Sequence, residues 1–204
     1  MSEQLRSPKS RKYEMLKRAE QMDLTRQRIV EAAATLHGTV GPAATTIAAI
    51  ADLAGVTRVT VYRHFPDNTS LFGACSAHWQ SQQRLPDPGA WAQIGDPAKR
   101  LAAGLADLYR FYGAGEAMLT NIYRDFDALP RAQQVGLQDR HEQMRDLLAA
   151  PFDGPPAQLR LIRGVVGHAV SFWTWRSLCL TNGLSQQEAV DLMTQAVMAV
   201  AADA

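Results

Sequence analysis

The stretch TTIAAIADLAGVTRVTVYRHF, from Thr45 to Phe65, constrains the fold more than any other part of the chain. It reads as two short helices that cross at a tight turn. Thr45 or Thr46 can cap the first, which buries Ile47, Ile50 and Ala51. Gly55 can take the left-handed conformation that a sharp reversal needs, and Thr57 can cap a second helix running to about His64. Val56, Val61 and Phe65 supply the shared core. What remains outside is a surface of Thr57, Arg58, Val59, Thr60, Tyr62, Arg63 and His64, with hydroxyls and cations but no acid. A helix of this width fits the major groove of DNA. There Arg can grip O6 and N7 of guanine, and an apolar group can touch a thymine methyl. A helix that is merely solvated usually carries Glu or Asp as well.

The flanking sequence extends the helical reading. From Leu24, Ile29, Ala33, Leu36 and Val40 fall on one face of an amphipathic helix that ends near Gly41-Pro42. Pro66-Asp67-Asn68 is turn chemistry, and a fourth helix follows with Leu71, Phe72 and Trp79. Residues 1–22, rich in Lys and Arg, are expected to be a basic, flexible arm that turns helical toward its end. Residues 85–97, with three prolines and two glycines, read as a junction. Beyond it the patterning predicts helices over about 98–113, 115–128, 131–149, 157–182 and 186–202, with no alternating strand. The expected fold is all-α, with a DNA-binding domain over 23–84 (helix-turn-helix about 46–65) and a larger domain over 85–204.

The segment from about Thr25 to Trp79 resembles the DNA-binding domain of the TetR family of bacterial transcriptional regulators. The matching pieces are TRQRIVEAAATL, Gly41, TTIAAIADLAGV, TVYRHFP and SLF, in that order. The resemblance implies base reading by Thr57, Arg58 and Val59. It also implies phosphate or thymine contacts from Thr60, Tyr62 and His64, and a helix N-terminus on the DNA backbone at Thr46, where free amides favour an anion. Arg63 joins them on the exposed side. Two positions depart from the family pattern: Asn68 replaces the usual Lys or Arg, and His37 stands where an aromatic core residue is common.

Charge agrees in direction. Residues 1–84 hold 11 Lys/Arg and 7 Asp/Glu, whereas 85–204 hold 10 and 13, so only the first part suits a polyanion. One short recognition helix discriminates weakly, which calls for a homodimer on a palindromic operator with half-sites ~34 Å apart. The resemblance implies dimerisation through the last two long helices. Gly164, Gly167, Ala169 and Ser171 would admit a partner helix beside Leu192, Ala196, Ala199 and Val200. It further implies a small-molecule effector in the second domain. There Tyr109, Tyr112, Met118 and Tyr123, with His168, Phe172, Trp175 and Cys179 at helical spacing, suit an apolar or aromatic ligand or simply a core. Glu116, His168 and Arg176 are the candidate polar groups, and Trp175→Ala is expected to alter induction while sparing DNA affinity.

Little points to catalysis. The five histidines never fall at metal-ligand spacing, no GxSxG, P-loop or HExxH occurs, and Gly113-Ala-Gly115 reads as a helix break. Cys75 and Cys179 form no CxxC pair and suit a reducing cytosol. The most apolar run, Gly164 to Trp173, is about half a membrane span. Neither a signal peptide nor a transmembrane helix is expected. No catalytic residue, metal or cofactor is expected either, and the expected setting is cytoplasmic. The expected function is a transcriptional regulator, a repressor released by its ligand, with an activator or a non-specific architectural DNA binder as alternatives.

Overall fold

The computed structural model describes residues 8–202, with the side chains of 8–13 left out. Among the described residues the chain is helical and holds no strand. The first domain comprises α1 (Pro8–Thr39), α2 (Ile47–Ala54), α3 (Arg58–His64) and α4 (Asn68–Ser81). Its caps are local chemistry. Thr46 Oγ1 accepts from the Ala49 amide at 3.1 Å, Thr57 Oγ1 from Thr60 at 3.2 Å, and Asp67 Oδ1 from Ser70 at 2.7 Å. Gly55 sits in the left-handed region (φ 63, ψ 42) and ends α2. Ile29, Ala33, Ile50, Ala51, Val61, Phe65, Leu71 and Cys75 close one core.

Several boundaries differ from the sequence reading. The predicted arm over 1–22 lies partly outside the described residues. From Pro8 onward the chain is already α1, well before Leu24. Strong helix formers fill this stretch, Pro8 is tolerated in a first turn, and Glu14 precedes Arg18 at the favourable spacing of four. Val40 falls past the end of α1 and is exposed rather than part of its buried face.

The second domain holds α5 (Pro88–Ala92), α6 (Pro97–Ala114), α7 (Glu116–Arg124), α8 (Arg131–Ala149), α9 (Pro156–Ala169), α10 (Phe172–Arg176) and α11 (Gln186–Ala202). The proline-rich junction thus contains a short helix. Asp87 caps α5, and the buried Trp91 donates its indole N–H to Asp107 at 3.3 Å. α7 stops at Arg124, short of the predicted 128, and a single 3-10 turn follows.

The predicted helix over 157–182 is broken in two. Ser171 caps α10 by accepting from the Trp173 amide at 3.3 Å, and α10 runs into one π-helical turn over Ser177–Thr181. Two phenols from α6 take up carbonyls at the break: Tyr109 donates to Ala169 O at 2.8 Å and Tyr112 to Val170 O at 2.7 Å. Backbone groups that a continuous helix would pair internally are satisfied by tertiary donors instead. Leu101, Leu105, Leu108, Ile162, Val166, Trp175, Val190 and Val197 fill the second core.

Three hydrogen bonds join α7 and the residue after it to the entry of the helix-turn-helix. Buried Asn121 donates to His37 O at 3.0 Å, Arg124 donates to Val40 O at 3.1 Å, and Asp125 accepts from the Ala43 amide at 3.0 Å. Gly41 lies between them at φ 93 and ψ 160, a region reserved for glycine, with Arg124 and Asp125 packed where a Cβ would stand.

Candidate DNA-binding surface and ligand cavity

α3 is built to face outward. Val61 is fully buried and Phe65 nearly so, which turns the opposite side to solvent. Val59 and Tyr62 are 69% and 53% exposed, large values for apolar or aromatic groups in a free domain. Arg58, Arg63 and Thr57 are exposed beside them, with Thr60 and His64 half-buried. Thr46 is also exposed, at the N-cap of α2. All eight sequence-predicted residues are thus exposed or half-buried, and seven of them belong to α3 and its N-cap. Neither Arg58 nor Arg63 is ion-paired among the described residues.

Two supports were not legible from the motif. Arg28 on α1 donates from Nε to Ala54 O at 3.0 Å and from Nη2 to Gly55 O at 3.1 Å, fixing the turn between α2 and α3. The Arg26 guanidinium stacks over the Phe65 ring at 4.2 Å. Asn68 opens α4, directly after its N-cap Asp67. The Asp67 carboxylate occupies the Ser70 amide, and the hydrogen bonds from Ser70 hold its carboxyl below the usual range.

A cavity of about 600 Å³ opens between the two domains, within the ordinary size range for small-molecule sites. α1 and α4 contribute His37, Phe72, Cys75 and Trp79, α6 gives Phe111 and Tyr112, and α7 gives Met118, Ile122 and Tyr123. α8 forms the remaining wall with Gln133, Gly136, Leu137, Arg140, His141 and Met144. Of the seven residues predicted for a ligand, the structure brings Tyr112, Met118 and Tyr123 to this cavity. Tyr109, Phe172 and Trp175 are core instead, at most 2% exposed, and Trp175 packs its ring against Phe172 and Tyr112. His168 is exposed and lies 3.3 Å from the Thr174 hydroxyl. Glu116 and Arg176 pair with each other at 3.9 Å. Spacing along one chain could not show that α1, α4 and α8 share a cavity with α7, because that juxtaposition is tertiary.

Burial sets the protonation chemistry of the lining. It lowers His37, whose ring lies 4.8 Å from Phe72, to about 4. Burial pushes the Cys75 thiol up to about 12 and raises the Tyr112 phenol. Tyr123 is raised for the same reason, against the opposing field of Arg140. His141 is lowered by burial, then by Arg145. The Oε1 atom of Gln133 is buried with no partner among the described residues.

In the second domain, Leu161, Trp173, Leu180 and Leu192 are 57%, 45%, 50% and 43% exposed. Gly164 and Ala199 are exposed there too, Ala196 and Val200 are half-buried, and Gly167 lies against Arg145. Ala169 is wholly buried inside its own chain, so it is not available to a partner helix. Among the described residues no group of three metal-binding side chains is placed to hold an ion, and no helix is long and apolar enough to cross a membrane.

A helix-turn-helix followed by a larger set of helices is the architecture of the described residues. Residues 29–75 match the sequence model of the family described as bacterial regulatory proteins, tetR family, so the chain carries a TetR-type N-terminal domain. Similar folds are the TetR family transcriptional regulator PfmR from Thermus thermophilus and a putative fatty acid metabolism regulator from Clostridium perfringens. Both give a TM-score of 0.57, at 18% and 15% identity, covering 84% and 85% of this chain and 97% of each of theirs. A tetR-family transcriptional regulator from Streptomyces coelicolor gives 0.55 at 22% identity, covering 87% of this chain and 82% of that one. No curated protein matches the chain. The fold is that of TetR-family transcriptional regulators.

Proposed function

We propose that this protein is a homodimeric transcriptional repressor that binds a palindromic operator through Thr46, Thr57, Arg58, Val59, Thr60, Tyr62, Arg63 and His64, and leaves it when a small apolar or aromatic molecule enters the cavity. The observation that carries this reading is α3 itself. It is an acid-free helix whose arginines have no ion-pair partner among the described residues and whose Val59 and Tyr62 are exposed opposite the buried Val61. One such helix reads few base pairs, so two copies are required. The exposed apolar side chains of α9, α10 and α11, with Leu180 after α10, supply a face for the second copy. The work of such a protein is done on chromosomal DNA in the cytoplasm.

Release follows from linkage. An occupant must prefer a conformation in which the two α3 helices no longer fit successive grooves, and each site then weakens the other equally. Two routes lead from the cavity to the reading head. α4 lines the cavity and connects directly to α3. α7 lines it with Met118, Ile122 and Tyr123 while Asn121, Arg124 and the following Asp125 hold the segment that enters α2.

The test is selection of binding sites from a random pool of duplex DNA with the purified protein, with Arg58→Ala run in parallel. The expected result is an inverted repeat with half-site centres one helical turn, or a multiple, apart. In the variant, preference at one position per half-site should relax by ~1 to 3 kcal/mol. No enrichment from a folded dimer, or an unchanged motif with Arg58→Ala, would overturn the assignment of the reading head.

A further inference from the structure

Reading the cavity as the effector site leaves the chemistry of its occupant open, and the lining constrains it. The walls hold no Asp or Glu. Their histidines, His37 and His141, are both shifted toward the neutral form by burial. That leaves Arg140 as the one cation among the lining residues. The other arginines on α8 are engaged: Arg131 donates to Gln134 and Arg145 to Asp146. Arg140 has no hydrogen-bond or ion-pair partner among the described residues, although acids lie on the same helix.

We propose that the occupant is an amphipathic organic anion, an apolar body ending in a carboxylate that pairs with Arg140. This deepens the effector-site reading and rests on it. Phe72, Trp79, Phe111, Met118, Ile122 and Met144 offer the body an apolar bed. The guanidinium presents paired donors that match a carboxylate edge to edge. Tyr123 stands in the same cavity within the field of Arg140, and its ring stacks on Phe172 at 5.1 Å. Its phenol is a second donor toward the head group. A cationic ligand would meet a like charge with no acid to offset it, so the lining selects against cationic amphiphiles.

The experiment uses the full chain and three probes of equal length, each below its aggregation concentration: dodecanoate, dodecanol and dodecyltrimethylammonium. Dissociation constants are read by equilibrium dialysis on the wild type, Arg140→Gln and Arg140→Lys. Arg140 is exposed and unpartnered, so both variants are expected to fold, which circular dichroism checks. Gly136→Trp serves as the site control, because Gly136 lines the cavity and has no atom within 4 Å of where a Cβ would stand. Dodecanoate is expected to bind the wild type roughly tenfold or more tighter than dodecanol, the strength of a charge-assisted pair, with the ammonium weakest. Arg140→Gln should remove that preference, Arg140→Lys should keep part of it, and Gly136→Trp should abolish uptake. Equal binding of dodecanoate and dodecanol, or a preference that survives Arg140→Gln, overturns the charge assignment and leaves the effector-site reading standing. Uptake of none of the three, or uptake undiminished by Gly136→Trp, overturns the effector-site reading and this proposal with it.

Discussion

His37 ties the stability of the first domain to pH. It is 7% exposed, packs on Phe72, and burial depresses its imidazole from an ordinary value near 6.5 to about 4. The folded state therefore holds the ring neutral over a range in which the unfolded chain protonates it. Below pH 6.5 the unfolded state binds more protons, so stability falls as pH drops toward 4 and levels off below that. The full displacement corresponds to roughly 3 kcal/mol, and the part lost between pH 7 and pH 5 is about 2 kcal/mol. That is a large share of the ~5 to 15 kcal/mol of a typical domain. The assay is urea unfolding by circular dichroism at pH 7, 6 and 5, comparing the wild type with His37→Phe, which keeps an aromatic ring against Phe72. His141 is also lowered and acts in the same direction, so the difference between the two proteins isolates His37. The wild type should lose about 2 kcal/mol more than the variant over this range. Parallel curves for the two proteins would refute the reasoning.

Two further perturbations separate fold from function. Trp175→Ala, expected from sequence to change induction alone, should instead cost ~3 to 5 kcal/mol of stability and lower DNA affinity and ligand response together, because the ring lies in the core away from the cavity; thermal unfolding beside an operator titration checks it. Gly41→Ala should strain the backbone by ~1 to 3 kcal/mol and displace Arg124 and Asp125 from the entry to α2, so that DNA affinity falls while ligand affinity is retained, as parallel titrations would show.

The helix-turn-helix was legible because its determinants are local. Thr46, Thr57 and Asp67 act within three residues of themselves, and Gly55 answers a need of one peptide unit. The same locality placed the ends of α8 and α11 correctly. Where the reading fell short, a distant group had overridden a local pattern. Nothing between Ala157 and Asn182 signals a break as strongly as a proline would. The break depends on Ser171 together with hydroxyls from Tyr109 and Tyr112, some 60 residues earlier. The aromatic stripe from His168 to Cys179 assumed one unbroken helix, and its members face different surroundings once the helix divides. The cavity was half legible for the same reason: α6 and α7 were identified, whereas His37, Trp79 and Arg140 reach it only through packing.

Cys75 gives the cavity an internal clock. The residue is 3% exposed on the cavity wall, and its thiol, pushed up to about 12, stays protonated at neutral pH. Alkylating reagents attack the thiolate, so this buried, protonated thiol should react slowly while its packing in the first core is intact. The labelling half-time of this sulfur therefore reports how often its packing loosens, and a molecule lodged against the cavity wall should slow it.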